Sequence, residues 1–197
     1  MTEQNSADKM RAGFRTFNRF MVALWRLGLG RFVNWSPRYG GRIMVITHNG
    51  RKSGIRRQSP VNYAIIDDDL YCTAGFGKNC DWYKNIKTNP GVEVWLPDGW
   101  YEGVAEEVTN PELRLPILRE VLKNSGFASY AAGVDPYGIS DEQLESLTRE
   151  YKLVRIHRTG ARTGRGGPGE FSWVWPLATF VLLPMVFIGR GKRKRCC

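Results

Sequence analysis

The sequence predicts a mainly β domain, an antiparallel sheet curled into a small barrel with flanking helices. Three observations predict it. Short β-branched runs recur between Arg42 and Arg158. Tight turn signals separate neighbouring runs. Few helical stretches intervene, so runs adjacent in sequence pair as a meander.

Ahead of the barrel, residues 10–34 read as a helix. On a wheel of about 100° per residue, Arg11, Arg15, Arg19 and Arg26 fall within one arc of about 80°. Phe14, Phe17, Phe20, Met21, Leu24, Trp25 and Leu27 take the opposite side, with Val22 the misfit. Such a basic amphipathic helix either packs on its own core or lies on an anionic membrane surface. Gly28, Gly30 and Pro37 mark its exit.

The strands follow. RIMVITH (42–48) is apolar and β-branched. SPVNYAIID (59–67) and LYCTAG (70–75) flank Asp67-Asp68-Asp69, a hairpin turn. DWYKNIKTNP is a short helix stopped by Pro90. GVEVWL (91–96) and WYEGVAEEV (100–108) form a second hairpin across Pro97-Asp98-Gly99. Asn110 and Pro111 open a helix reaching about Asn124, as cap and first turn. SDEQLESLTRE (140–150) is a further helix and YKLVRIHR (151–158) the last strand.

Residues 159–170, TGARTGRGGPGE, read as a linker. Then 171–189 run without a charge. As a helix this segment measures about 28 Å, close to the hydrocarbon thickness of a bilayer. Trp173 and Trp175 stand where interface aromatics belong, and a polybasic tail follows. Pro176 and Pro184 leave a shallow re-entrant path open, and a segment packed in the core is the other alternative. The expected division is an amphipathic segment (1–38), the barrel (39–158), the linker (159–170) and a hydrophobic membrane segment with its basic tail (171–197).

Composition narrows the function classes. The net charge of +10 is uneven: Arg190, Lys192, Arg193, Lys194 and Arg195 supply half of it. The remaining excess suits an anionic cofactor or lipid. No nucleic-acid reader motif is present. The four cysteines form no CxxC, and the only histidines are His48 and His157. That argues against a metal site and a disulfide framework, and for a reducing, cytoplasmic-side protein. The polar start, MTEQNSADKM, is no secretory signal.

The chemistry concentrates at THNGRKSGIRRQSP (47–60). Gly50 and Gly54 bracket a turn that carries Arg51, Lys52, Ser53, Arg56 and Arg57. Glycines let backbone N–H groups converge on an anion, and guanidinium groups grip phosphate or carboxylate with paired bonds. The turn matches neither GxxxxGK[ST] nor GxGxxG, and a merely solvated basic loop is the alternative. A second cluster, GFGKNCDWYKNIKTNP, adds Lys78, Trp82 and Tyr83. Beside the turn, it would set an aromatic wall next to an anion cradle.

GRKSG with the following arginines and Ser59-Pro60, and DWYKNIKTNPGVEV downstream, resemble the deazaflavin-dependent nitroreductases, also called F420H2-dependent quinone reductases. The resemblance spans residues 15–158. It implies a split β-barrel related to the FMN-binding ones, and a cofactor, coenzyme F420, which is an 8-hydroxy-5-deazaflavin with an anionic phosphodiester and oligoglutamate tail. It implies tail contacts from Arg51, Lys52, Ser53, Gly54, Arg56 and Arg57, and walls from Lys78, Trp82 and Asn85. Tyr130, in GFASYAAG, is the candidate catalytic residue, as proton donor or positioner of the acceptor. The expected partners are a quinone-like or nitro acceptor, a membrane lipid surface on the cytoplasmic side, and a second copy as a homodimer. Two other readings stay open: a split-barrel protein using FMN, and a non-enzymatic membrane-associated binding module.

Overall fold

The computed structural model describes residues 2–75 and 77–191, with the backbone alone at residues 2–12, 14, 37, 78 and 184–191. The side chains of Arg11, Phe14, Lys78 and Pro184, and all of residues 192–197, therefore lie outside the described residues.

Six antiparallel strands close a barrel in the order β1-β2-β3-β6-β5-β4. They are β1 (Ile43–Asn49), β2 (Arg56–Ile66), β3 (Asp69–Ala74), β4 (Gly91–Leu96), β5 (Gly99–Glu107) and β6 (Lys152–Ala161). The β2–β3 hairpin turns at Asp67 and Asp68, whose positive φ values of 49° and 66° match the twist of the flanking strands. Asp69 is not a turn residue as the sequence suggested. It enters β3, buried, and its carboxylate accepts from Arg155 (2.7 Å) and meets His157 (2.8 Å).

Alternation along the strands sorts side chains between faces. Met44, Ile46, Leu70, Val94 and Ile156 fill the barrel. Helix α4 (Asp81–Thr88) adds Tyr83 and Ile86 to this core, closing one end. Val45, Trp95 and Trp100 face outward, where Trp25 of α1 (Thr2–Arg26) covers them. Helix α5 (Pro111–Lys123) covers Ala64, Tyr71 and Leu153 through Val121, and packs against α7 (Asp141–Leu147) through Leu118, Leu122 and Leu144. Asn110 caps α5, accepting from the Glu112 N–H at 3.0 Å, as the sequence indicated.

The apolar side of α1 divides. Met21 and Trp25 are buried, and Val22, the misfit, packs against the Trp25 cluster. Phe17 and Phe20 lie on the far arc, 47% and 59% exposed. The helix ends at Arg26, earlier than expected, and short helices α2 (Gly30–Val33) and α3 (Pro37–Gly40) lead into β1.

Residues 159–170 do not hang free. Strand β6 runs on to Ala161, which pairs with Tyr101. The Arg162 N–H donates to the Trp100 carbonyl (2.7 Å), and Gly167 lies against the Trp100 ring. The Gly169 and Phe171 N–H groups donate to the carbonyls of Trp25 and Arg26 at 2.9 and 2.8 Å. Residues 171–173 are thereby held in turns, and helix α8 (Val174–Gly191) starts only at Val174. Among the described residues no helix is long and apolar enough to cross a membrane. The spanning expectation for 171–189 falls partly on side chains outside them.

A seam lies between β2 and β3. The ladder from β2 to β3 covers only Tyr63 to Ile66, whereas Arg56 to Asn62 pair with β1 alone. This seven-residue edge is about 20 Å long.

Candidate cofactor site

The β1–β2 turn lies at the exit of β1 and folds tightly on itself. The Gly50 N–H donates to the Ile55 carbonyl (2.9 Å) and the Gly54 N–H to the Gly50 carbonyl (2.8 Å). Gly54 has φ +65°, and a Cβ at Gly50 would meet the Ser53 Oγ at 2.8 Å and Arg57 at 3.2 Å. Both glycines are therefore required by the turn.

The structure separates the cationic residues that the sequence groups together. Arg51 turns inward onto α4. Its backbone N–H and Nη1 both donate to Asn85 Oδ1, at 3.1 and 2.9 Å, and Nη2 pairs with Asp81 at 3.1 Å. Arg56 faces the outside of the barrel and pairs with Glu93, which also accepts from Trp100 Nε1 (3.2 Å) and meets Arg162 (3.3 Å). Lys52 and Arg57 are exposed and have no ion-pair partner among the described residues. The N–H groups of Lys52 and Ser53 likewise have no protein acceptor there. The free anion donors are thus Lys52, Ser53 and Arg57, on a frame made by Arg51.

Asn85 is 3% exposed. Besides Arg51 it holds His48, Nδ2 to Nδ1 at 3.2 Å, so it is an internal clamp rather than a wall. Trp82 is half-buried against the barrel core. His48 sits inside the barrel on the same face as Met44 and Ile46, with Nε2 3.1 Å from Ser59 Oγ. Burial first, then the neighbouring Arg57, push its pKa down to about 4, against an opposing pull from Asp81. The sequence reading gives neither His48 nor Ser59 a role in the site. The available signal was period-two alternation, which puts His48 on the inward face of an otherwise apolar strand.

Tyr130 lies elsewhere. The Gly126–Gly41 approach and the Arg42 N–H donating to the Asn124 carbonyl (2.7 Å) fasten the end of α5 to the start of β1. Helix α6 (Phe127–Ala131) follows, and Tyr130 lines a groove of about 960 Å3 with Tyr39, Phe127 and Tyr137. Partial desolvation, then Asp135, push its phenol pKa up. The groove lies by the start of β1 and the basic turn at its exit.

No curated protein matches this chain. Among solved structures, an F420-H2 dependent reductase is 23% identical over 58% of this chain and 93% of its own, with a TM-score of 0.45. A conserved hypothetical protein from Mycobacterium tuberculosis is 20% identical over 68% of this chain and 79% of its own, also at 0.45. At these values the structural likenesses add nothing to the match of the family model. That model, F420H(2)-dependent quinone reductase, matches residues 19–140, more than half of the chain, from the last turns of α1 to beyond Tyr130. The chain belongs to the F420H(2)-dependent quinone reductase family, so it is an oxidoreductase whose cofactor is coenzyme F420.

Proposed function

We propose that this protein reduces a quinone or similar lipophilic acceptor at the cytoplasmic surface of the cell membrane. The residues present fit the cofactor's tail. Lys52, Ser53 and Arg57 offer free N–H, hydroxyl and cationic donors around a cradle that a Cβ at Gly50 would fill. An anionic phosphodiester and glutamates suit that donor set. When bound, the reduced deazaflavin supplies a hydride.

The protein's own residues do the rest. Lys52, Ser53 and Arg57 anchor the tail, and Arg51 with Asn85 fixes the turn that carries them. The tyrosines of the large groove receive a flat acceptor, and Tyr130 gives it the proton that balances the hydride or holds it in place. Quinone and hydride together give the hydroquinone monoanion, the one proton from Tyr130 or from water completes the hydroquinone, and a Tyr130 that has given its proton regains it from solvent. A nitroaromatic is flat enough for the same groove.

One observation carries the membrane reading. Exposed aromatics stand on α1, on the segment that follows it and on the C-terminal segment. Phe17 and Phe20 of α1, Trp35 (87% exposed), and Trp173, Trp175 and Phe180 (79%) of the C-terminal segment are all uncovered. Trp175 Nε1 donates to the Leu27 carbonyl at 2.8 Å, tying α8 to the end of α1. Aromatic side chains beside cationic residues suit a lipid interface, and two attachment elements on one chain hold better than one.

The test is co-sedimentation with anionic vesicles, coupled to reduction of a long-tailed quinone in them. Phe20→Glu and Phe180→Glu together are expected to release the protein and slow the vesicle-borne quinone, while a water-soluble acceptor is reduced as before. Unchanged sedimentation and quinone reduction in the double variant would refute membrane attachment through these aromatics.

A further inference from the structure

The hydrogen bonds from Arg51 to Ser59 have a direction. Asn85 Oδ1 accepts from Arg51 twice, which fixes the amide so that its NH2 faces His48 Nδ1. An NH2 group only donates, so Nδ1 is the accepting, bare nitrogen. His48 is buried and neutral, so its single ring proton is on Nε2. Nε2 then donates to Ser59 Oγ across 3.1 Å. The Ser59 hydroxyl has its acceptor side occupied, and among the described residues nothing accepts its hydrogen. Ser59 is half-buried and stands in the stretch of β2 that pairs with β1 alone. Arg57 is two residues away on the same face, about 7 Å along the strand.

We infer that the Arg51–Asn85–His48 relay makes Ser59 a dedicated hydrogen-bond donor to an acceptor oxygen of the cofactor's phosphorylated tail, next in line after Arg57. This rests on the reading that the tail occupies the basic turn. Ser59 is then a binding residue, and Asn85 and His48 are positioning residues that act through it.

The test uses Ser59→Ala, Asn85→Asp and the double variant at pH 9, where the ring of His48 is neutral. The carboxylate that Asn85→Asp introduces still accepts from Arg51 but cannot donate, so His48 must move its proton to Nδ1. Nε2 then accepts from Ser59, and the hydroxyl is turned away from the ligand. In protein labelled with 15N-histidine, wild-type His48 is expected to show a bare Nδ1 and a protonated Nε2, with the pattern reversed in Asn85→Asp. A protonated Nδ1 in the wild type, or no reversal, overturns the relay whether or not the cofactor binds.

Fluorescence titration with coenzyme F420 reads the second arm. Ser59→Ala is expected to weaken binding about tenfold. Adding Asn85→Asp should then cost less than it does in the wild type, because its effect passes through the missing hydroxyl. Additive losses would reduce Asn85→Asp to plain charge repulsion and overturn the inference. Unaltered affinity in Ser59→Ala does the same. Failure of the wild type to bind F420 at all would instead refute the tail reading, with the tautomer result standing apart.

Discussion

Arg56 and Arg57 are neighbours in sequence and face opposite sides of β2. Arg56 reaches outward to Glu93, while Arg57 lies inward, near Gly50 and within the field of His48. The two cations therefore do different work. Arg57→Glu is expected to weaken F420 binding more than tenfold and to lessen its salt dependence, since one screened contact is gone. Arg56→Ala should leave binding unchanged. It should cost at most about 1 kcal/mol of stability, because the pair is partly solvated and Glu93 keeps Arg162 and Trp100. Titrations of the two variants at low and high salt check both statements.

How legible this is in the sequence follows from the same pair. Alternation along a strand decides their opposite facing, but only once the strand's start is known. The polar run 56–58 reads locally as turn, which starts β2 at Ser59, whereas the strand begins at Arg56. Pairing of Asn49 with Arg56 and His48 with Arg57 extends it, a tertiary effect that local propensity does not encode. Hairpins with their own turn chemistry are plain, as at Asp67-Asp68 and Pro97-Asp98. The anion turn is legible because glycine and charge are local signals. The Asn85–His48–Ser59 chain is not, since it joins α4, β1 and β2 through side chains far apart in sequence. The split of α1 between Met21 and Phe20 is also hidden. A hydropathy wheel shows an apolar arc but not which half the barrel covers.

The buried His48 sets an acid limit on stability. Unfolded, it takes a proton near pH 6.5; folded, only near 4. Between those values the unfolded state binds more protons, so stability falls as pH drops from 6.5 and the loss levels off below 4. The full effect is about 3 kcal/mol. Urea unfolding across this range is expected to slope in the wild type and to flatten in His48→Gln, which has no ring to protonate. Parallel profiles in the two proteins would mean that His48 titrates normally in the fold.

Tyr130 is separated from the basic turn by the length of β1, so its role is separable too. Tyr130→Phe should lower turnover by about a hundredfold if it gives the proton, while the F420 dissociation constant stays within a factor of about two of wild type. Losses of equal size in both would mark it as a packing residue at the end of α6.

The tail-anchored arrangement is tested most directly by comparing coenzyme F420 with the same deazaflavin stripped of its phosphodiester and glutamates. Wild-type protein is expected to bind the intact cofactor far more tightly, and Lys52→Ala/Arg57→Ala should erase most of that preference while barely changing affinity for the stripped form. Equal loss for both forms, or a preference that survives the double variant, would contradict the assignment of the basic turn to the tail.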